Sequence, residues 1–405
     1  MNSPFRAIQV SDHVWWVGAI DWDLADFHGY STPRGSTYNA FLIDAETVTL
    51  IDTVKTEYVD ELMARISSFI HPERIDLVVS NHSEPDHTSG LAEVIRLTNP
   101  KRVVASKAGV KALAAHYSLP VEVEAVGEGQ TIDLGGGLDL VFHETRMAHW
   151  PDSMMCTLGA ERVLFSNDIF GLHLAGGERF DGAVDPAVLL QEATAYYANI
   201  FWPVSPAVAG VLKKIDALPR PPAVIAPDHG PVWRDSPGTI LDLYRGWVEG
   251  KTVNKAVVVY DTMWGSTAKL AHAAAEGLIA GGMGVKLLPL SKSPRSEIAA
   301  ELLEASALLV GTSNLNGRML PRLADVLTYL GGLKPKSRPM KGAVFGSHGW
   351  ADKASRQVRE WLEAMQVELV ADPLSVNYVP DREALNAARK LGKQVAQEAS
   401  VARSR

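Results

Sequence analysis

From Lys251 onward the sequence repeats one pattern, an apolar strand followed by a helix. The strands read "KAVVVYD", "GVKLLPL", "ALLVGTS", "KGAVFGS" and "VELVADPLSV". Five such strands joined by helical crossovers all run the same way, which specifies a parallel, doubly wound sheet. About 150 residues suffices for one such domain. The first half lacks this regularity. "HVWWVGAI", "TYNAFLID" and "TVTLIDT" read as strands, and "EYVDELMARISSFI" has apolar residues at helical spacing. "IDLVVS", "RVVAS", "VEVEAV", "LDLVFHET" and "RVLFSND" are further strands, with a helix at "GLAEVIRL". Mixed strands with helices between groups of them predict a sandwich of sheets flanked by helices. The texture changes between Trp247 and Lys255, so the expected domains are 1–250 and 251–405.

The two parts differ in charge. Residues 1–250 hold 18 Lys+Arg against 33 Asp+Glu, a net of −15, while residues 251–405 hold 21 against 14, a net of +7. The sum of −8 argues against a nucleic-acid binder, and the asymmetry suggests different partners for the two halves. No apolar run approaches the length of a membrane span. The start "MNSPFRAIQVSDHVWWVG" has no basic stretch, apolar core or small-residue cleavage site, so no secretory signal is expected. The one cysteine, Cys156, rules out a disulfide framework, and a cytoplasmic setting fits. It lies in "SMMCTLGAERVLF", which reads as a core strand.

Directly after the strand "IDLVVS" comes "NHSEPDHTSG", with His82, Glu84, Asp86 and His87 within six positions. Stripping charged groups of water at the end of a core strand costs several kcal/mol per ion unless something compensates. Imidazole nitrogens and carboxylate oxygens are metal ligands in type and spacing, and a metal supplies the missing charge. Three later strand ends offer partners: His149 in "RMAHWPDS", Asp168 in "VLFSNDIFG" and His229 in "VIAPDHGPVW". His13, His71, His116 and His173 lack acidic company and read as structural; His143 reads as a strand residue or an outer partner of the site.

A second site is expected in the other half. In "VVVYDTMWGSTAKLAHAAAEGL" the loop Thr262, Met263, Trp264, Gly265, Ser266, Thr267 opens an Ala-rich helix. Backbone N–H groups at a helix N-terminus together with hydroxyls bind a phosphate without a lysine. There is neither G-x-G-x-x-G nor a P-loop, so a phosphate monoester such as that of FMN fits better than a dinucleotide or a nucleoside triphosphate. Two more strand ends join in. One carries Thr312, Ser313, Asn314, Leu315, Asn316 and Gly317; the other carries Ser347, His348, Gly349 and Trp350. In a doubly wound sheet such ends form the ligand crevice at the switch point. Trp264 and Trp350 offer flat faces to a flavin ring.

The pattern H-x-E-x-D-H followed by single His, Asp and His resembles the metallo-β-lactamase fold. Glu84, where hydrolases of that fold carry a second His, is typical of the flavodiiron proteins. "DWDLADFHGYSTPRGSTYNAFLID" and "YYANIFWPVSP" also resemble that family, and the resemblance covers essentially the whole chain. It implies an α/β protein with a metallo-β-lactamase-like αββα sandwich followed by a flavodoxin-like domain. It implies one iron at His82, Glu84 and His149, a second at Asp86, His87 and His229, and Asp168 as the bridge. Electrons would pass from an external donor through FMN to the iron pair, which would reduce oxygen to water or nitric oxide to nitrous oxide. His28, Tyr30 and Tyr197 are candidate hydrogen-bond donors to the bound gas, and Trp150 a candidate lining residue.

The resemblance further implies a head-to-tail homodimer or a dimer of dimers, in which one chain's flavin serves the other's irons. The opposite charges of the halves favour that pairing. The basic cluster Lys334, Lys336, Arg338 and Lys341 suits an acidic carrier such as rubredoxin. No rubredoxin or flavin reductase module follows residue 405, so the donor is expected to be a separate rubredoxin or flavin reductase system, or a reduced deazaflavin. The second and third flavin loops depart from the family in Thr312-Ser313-Asn314, His348 and Ala351-Asp352, changes that bear on the flavin potential more than on phosphate binding. A metal-dependent hydrolase with a flavin-binding regulatory half is the alternative, and an electron carrier a third reading.

Overall fold

The computed structural model of the chain describes residues 3–333 and 340–403. The chain divides at Val248/Glu249 into two compact units, with Gly29–Ser31 and Tyr197–Pro203 grouped with the second. No described helix is long and apolar enough to cross a membrane.

In the first unit, seven described strands form one sheet in the order Ile8–Gln9, Val14–Trp16, Phe41–Ile43, Thr49–Ile51, Leu77–Ser80, Arg102–Ser106, Val123–Val126. The first four pair antiparallel and the rest parallel. The second sheet holds Thr131–Asp133, Asp139–Glu144, Met154–Leu158, Val163–Asn167 and Val224–Pro227, antiparallel except for the last pair. Burial follows the period of two. Leu77 and Val79 join Phe41, Phe142, Cys156 and Phe165 between the sheets. Val78, Leu42 and Leu50 turn the other way, onto Leu62, Ile66, Leu91 and Val94 of the helices Val59–Ser67 and Leu91–Thr98. A strand covered on both faces has no polar side to show, which is why "LVV" reads as unbroken apolar sequence.

In the second unit the strands lie in the order Gly284–Pro289, Lys255–Tyr260, Ala307–Ser313, Met340–His348, then the last pair of strands, all parallel. This is the doubly wound arrangement, with its switch point between the first and third strands in chain order. "VELVADPLSV" is not one strand but two, Val367–Leu369 and Leu374–Asn377, both paired to Met340–His348. The register runs from Leu369 opposite Gly342 to Leu374 opposite Phe345, so two extra residues loop out before Pro373, which has no N–H to give the ladder. The helix Ser266–Ala280 packs on Arg382–Arg403 at very close range. A Cβ on Gly277 would fall 2.0 Å from the Arg389 carbonyl oxygen. Of the expected basic cluster, Lys334, Lys336 and Arg338 lie outside the described residues, while Lys341 sits in the fourth strand with its Nζ 2.5 Å from Glu368.

Candidate functional site

The loop after Leu77–Ser80 is held from both sides. Asp52 accepts the Asn81 backbone N–H and side-chain amide, each at 2.7 Å. Pro85 starts the one-turn helix Pro85–Thr88, and Thr88 Oγ1 donates back to the carbonyls of Ser83 and Glu84 at 3.0 and 2.9 Å. This turn splits the acidic run. His82 and Glu84 precede it and face one place; Asp86 and His87 lie within it and face another.

His82 Nε2 lies 3.1 Å from Glu84 Oε2 and 3.4 Å from Asp168 Oδ2. His149 Nε2 lies 3.3 and 3.2 Å from the same two oxygens. The other oxygen of Asp168, Oδ1, is 3.1 Å from His87 Nε2 and 3.4 Å from His229 Nε2. Asp86 Oδ2 stands 3.3 and 3.2 Å from those nitrogens. Two groups result, His82, Glu84, His149 and Asp168 on one side and Asp86, His87 and His229 on the other, with Asp168 facing both; His87 and Asp168 also form a third group with Asp228. Ligands about 2.0–2.2 Å from an ion and about 90–105° apart would stand about 3.0–3.3 Å from one another, as these do.

The donor set fits cations in a second way. Both oxygens of buried Asp86 receive no hydrogen bond. Burial pushes the His82 imidazole down, yet Asp152 and Glu84 beside it lift it to about 10. Burial pushes the Asp168 carboxyl up, yet His87 and His149 hold it well below the usual carboxylate range. Buried carboxylates in this number demand positive charge, which either protons on the imidazoles or metal ions at the same nitrogens supply.

Behind these groups stand residues the sequence reading passed over. Asp152 Oδ2 is 3.4 Å from His82 Nδ1, and Asp228 Oδ2 is 3.9 Å from His87 Nδ1. Burial and the neighbouring Asp52 push the Asp228 carboxyl well up. Each of the three is an aspartate at a strand end or beside a ligand ("LIDT", "HWPD", "PDHG"), the signal by which they were findable. His173, read as structural, is buried with its Nδ1 2.8 Å from Ser36 Oγ and its ring 4.9 Å from that of His229. His13, His71 and His143 have ordinary partners in Glu161, Glu73 and Thr157, and His116 lies on an exposed helix face with its ring 5.6 Å from that of Tyr117.

His28 Nε2 is 2.6 Å from Glu84 Oε1, and its proton is held by that contact more than burial releases it. A cleft of about 250 Å³ opens on Glu84 and Asp86, lined also by Phe27, His28, Lys55 and Pro85. Lys55 Nζ sits 4.5 Å from the Tyr38 ring centre and 5.3 Å from that of Phe27. Tyr30 and Tyr197 are buried in segments that group with the second unit, and the Tyr197 ring packs 6.3 Å from Phe201. The residue before it, Tyr196, has its ring 5.0 Å from His173 and 6.1 Å from His229. Trp150 packs edge-on to His82 at 5.0 Å.

The loops of the second unit converge at the switch point. Thr262 Oγ1 accepts the Gly265 N–H at 3.1 Å, and Gly265 takes a left-handed φ of 84° just before the helix Ser266–Ala280. Thr267 turns inward: its hydroxyl is 2.9 Å from that of Ser313 and 3.0 Å from that of Ser347, tying three strand ends together. Thr312 Oγ1 donates to the Ser313 carbonyl. Asn314 is a tie as well, accepting from the N–H groups of Lys353 and Ala354 and donating to the Ala351 carbonyl. Asn316 and Gly317, both at positive φ, form a tight turn closed by Leu315 and Arg318. His348 Nδ1 lies 3.0 Å from Ser375 Oγ. Trp264 and Trp350 are 93% and 94% exposed, Met263, next to Trp264 in the chain, is half-exposed, and Gly349 adds no side chain. Open aromatic faces around helix N–H groups and hydroxyls fit a flavin with its phosphate.

Comparison with known proteins bears on both halves. Residues 36–230 match the model of the ODP family of beta lactamases, and residues 258–392 match that of flavodoxin. A nitric oxide reductase of Moorella thermoacetica is 40% identical, over 98% of this chain and 99% of its own. The solved rubredoxin oxygen:oxidoreductase of Desulfovibrio gigas superposes with a TM-score of 0.95 at 37% identity, covering 99% of this chain and 100% of that one. The flavodiiron protein of Giardia intestinalis superposes at 0.93 with 28% identity, over 99% and 98%. With both modules in this order and likeness running end to end, the chain belongs to the flavodiiron proteins, flavoenzymes that pair an FMN-binding flavodoxin module with a two-iron centre.

Proposed function

We propose that this chain reduces oxygen to water, nitric oxide to nitrous oxide, or both, at two irons supplied with electrons by FMN. The observation that carries the reading is Asp168, whose two oxygens face two separate His/carboxylate groups at 3.1–3.4 Å. His82, Glu84 and His149 would hold one iron, Asp86, His87 and His229 the other, with Asp168 between them. The loops at Thr262–Thr267, Thr312–Gly317 and Ser347–Trp350 would hold FMN. Bound iron would supply reversible one-electron chemistry, which zinc cannot, together with open positions for a diatomic, and bound FMN would split electron pairs into single electrons.

The protein's own groups do the rest. Oxygen needs four electrons and four protons to become two waters; two nitric oxides need two of each to become nitrous oxide and water. His28 holds a proton at Nε2 against Glu84 Oε1, leaving Oε2 to face His82 and His149, which would hold a metal with it, and is exposed enough to exchange that proton with water. Lys55 places a cation on the wall of the cleft, where charge develops on a reduced diatomic. Tyr196 packs its buried ring 6.1 Å from that of His229. The apolar wall from Phe27 limits water in the cleft.

The wider setting is part of the same proposal. Electrons come from a separate rubredoxin or flavin reductase system, or from a reduced deazaflavin. The assembly is a head-to-tail dimer or dimer of dimers, supported by the −15 and +7 charges of the two halves. The cytoplasm is the compartment that fits a chain with one buried thiol. The test is anaerobic turnover of the fully reduced, iron-analysed protein with oxygen and nitric oxide electrodes. Consumption of either gas in proportion to iron content is expected. No consumption by protein carrying two irons and one FMN per chain would sink the reading.

A further inference from the structure

The loop that follows His149 carries the carboxylate that stands behind His82. Asp152 is buried, 4% exposed. Its Oδ2 accepts the Ser83 N–H at 2.7 Å and faces His82 Nδ1 at 3.4 Å. Its own carbonyl accepts the Ser106 hydroxyl at 2.7 Å. That hydroxyl also caps the helix Lys107–His116 by accepting the Gly109 N–H at 3.0 Å. One residue therefore joins three segments: the turn bearing His82 and Glu84, the loop bearing His149, and the start of a helix.

The other imidazoles are held differently. His229 Nδ1 lies 2.6 Å from the Thr37 carbonyl. His87 Nδ1 faces Asp228 at 3.9 Å, beyond hydrogen-bond reach. Of these three, only His82 has a carboxylate oxygen within 3.5 Å of its outer nitrogen. Asp152 makes no hydrogen bond or ion pair with Asp86, His87 or His229 among the described residues.

We propose that Asp152 is a positioning residue for one metal only, the one held by His82, Glu84 and His149. Its carboxylate keeps the proton of His82 on Nδ1, so that Nε2 presents its lone pair to the metal, and the electron density it pushes into the ring strengthens that ligand. The bond to Ser83 holds the His82–Glu84 turn against the His149 loop, so three ligands keep one geometry. The inference rests on the diiron reading and adds to it an inequality between the two metals.

The test is an anaerobic titration of the full-length, flavin-loaded protein with ferrous iron against a competing chelator. Iron per chain after desalting and the electron paramagnetic resonance spectrum of the half-oxidised pair are read alongside. In Asp152→Ala one of the two sites should weaken about 10–100-fold while the other is unchanged, with iron falling toward one per chain and the coupled-pair signal lost. Asp152→Asn can still accept the Ser83 N–H but lacks the charge that faces His82, so a smaller weakening of the same site is expected. Ser106→Ala frees the loop carbonyl and keeps the carboxylate, and should retain both sites. Two sites of wild-type affinity in Asp152→Ala, or equal loss of both, would overturn the proposal. If that variant does not fold, an unchanged Asp152→Asn overturns it. Fewer than two sites in the wild type would instead count against the diiron reading.

Discussion

Glu84 uses its two oxygens for two neighbours: Oε2 faces His82 and His149, and Oε1 takes His28 at 2.6 Å. Glu84→Gln keeps the shape but puts an amide where two acceptors are needed. Iron content and gas consumption should both fall at least about tenfold, read by metal analysis and electrode. His28→Phe should separate the two, keeping the iron while slowing consumption by about 10²-fold, the usual worth of a proton-transfer group. His143 carries a pH effect of its own. Burial holds its imidazole below the ordinary range. The unfolded chain therefore binds a proton as pH falls through about 6.5, before the folded chain does. Stability is full above that pH and is lost as pH drops toward the lower folded value. Urea unfolding at pH 7.5 and 5.5 should show a loss that shrinks in His143→Gln. At this scale the sequence was legible where charge stood at the end of an apolar strand, which pointed to seven of the clustered residues but not to Asp228. It was silent on Tyr196, because which of two adjacent tyrosines faces the histidines depends on helical phase, and the helix Pro186–Tyr196 ends in the irregular turn Tyr197–Phe201.

Elements here are held by small polar ties and close backbone approaches. Thr267 is fully buried and its hydroxyl joins two others. Thr267→Val leaves two serine hydroxyls short of a partner, and a loss of about 1–3 kcal/mol is expected together with weaker FMN binding, measured by thermal melts and flavin fluorescence. Gly277→Ala drives a methyl group into the Arg389 carbonyl and should cost about 1–3 kcal/mol by parting the two helices. Periodicity made the sandwich and the parallel sheet readable, since each strand's burial pattern is written in its residues. It failed where burial is slight. In Lys107–His116 only Gly109 and Leu113 are buried, so no apolar stripe marks that helix. In "VELVADPLSV" composition stayed strand-like while two extra residues looped out of the pairing between Leu369 and Leu374.

At the scale of the whole molecule, opposite charges of −15 and +7 on the two halves predict association that weakens with salt. Light scattering in low and high salt would show it, with loss of gas consumption in parallel. Mixing a chain lacking Asp168 with one unable to bind FMN should restore activity only if one chain's flavin serves its partner's irons. The chain's one cysteine, meanwhile, is packed between the sheets at zero exposure, and burial pushes its thiol well up. A protein that works on oxygen or nitric oxide is thereby left with no accessible thiolate to nitrosate or to oxidise to a sulfenic acid. A thiol reagent should find nothing to titrate in the native protein and one equivalent in urea, so damage during turnover has to fall on methionine, flavin or metal instead.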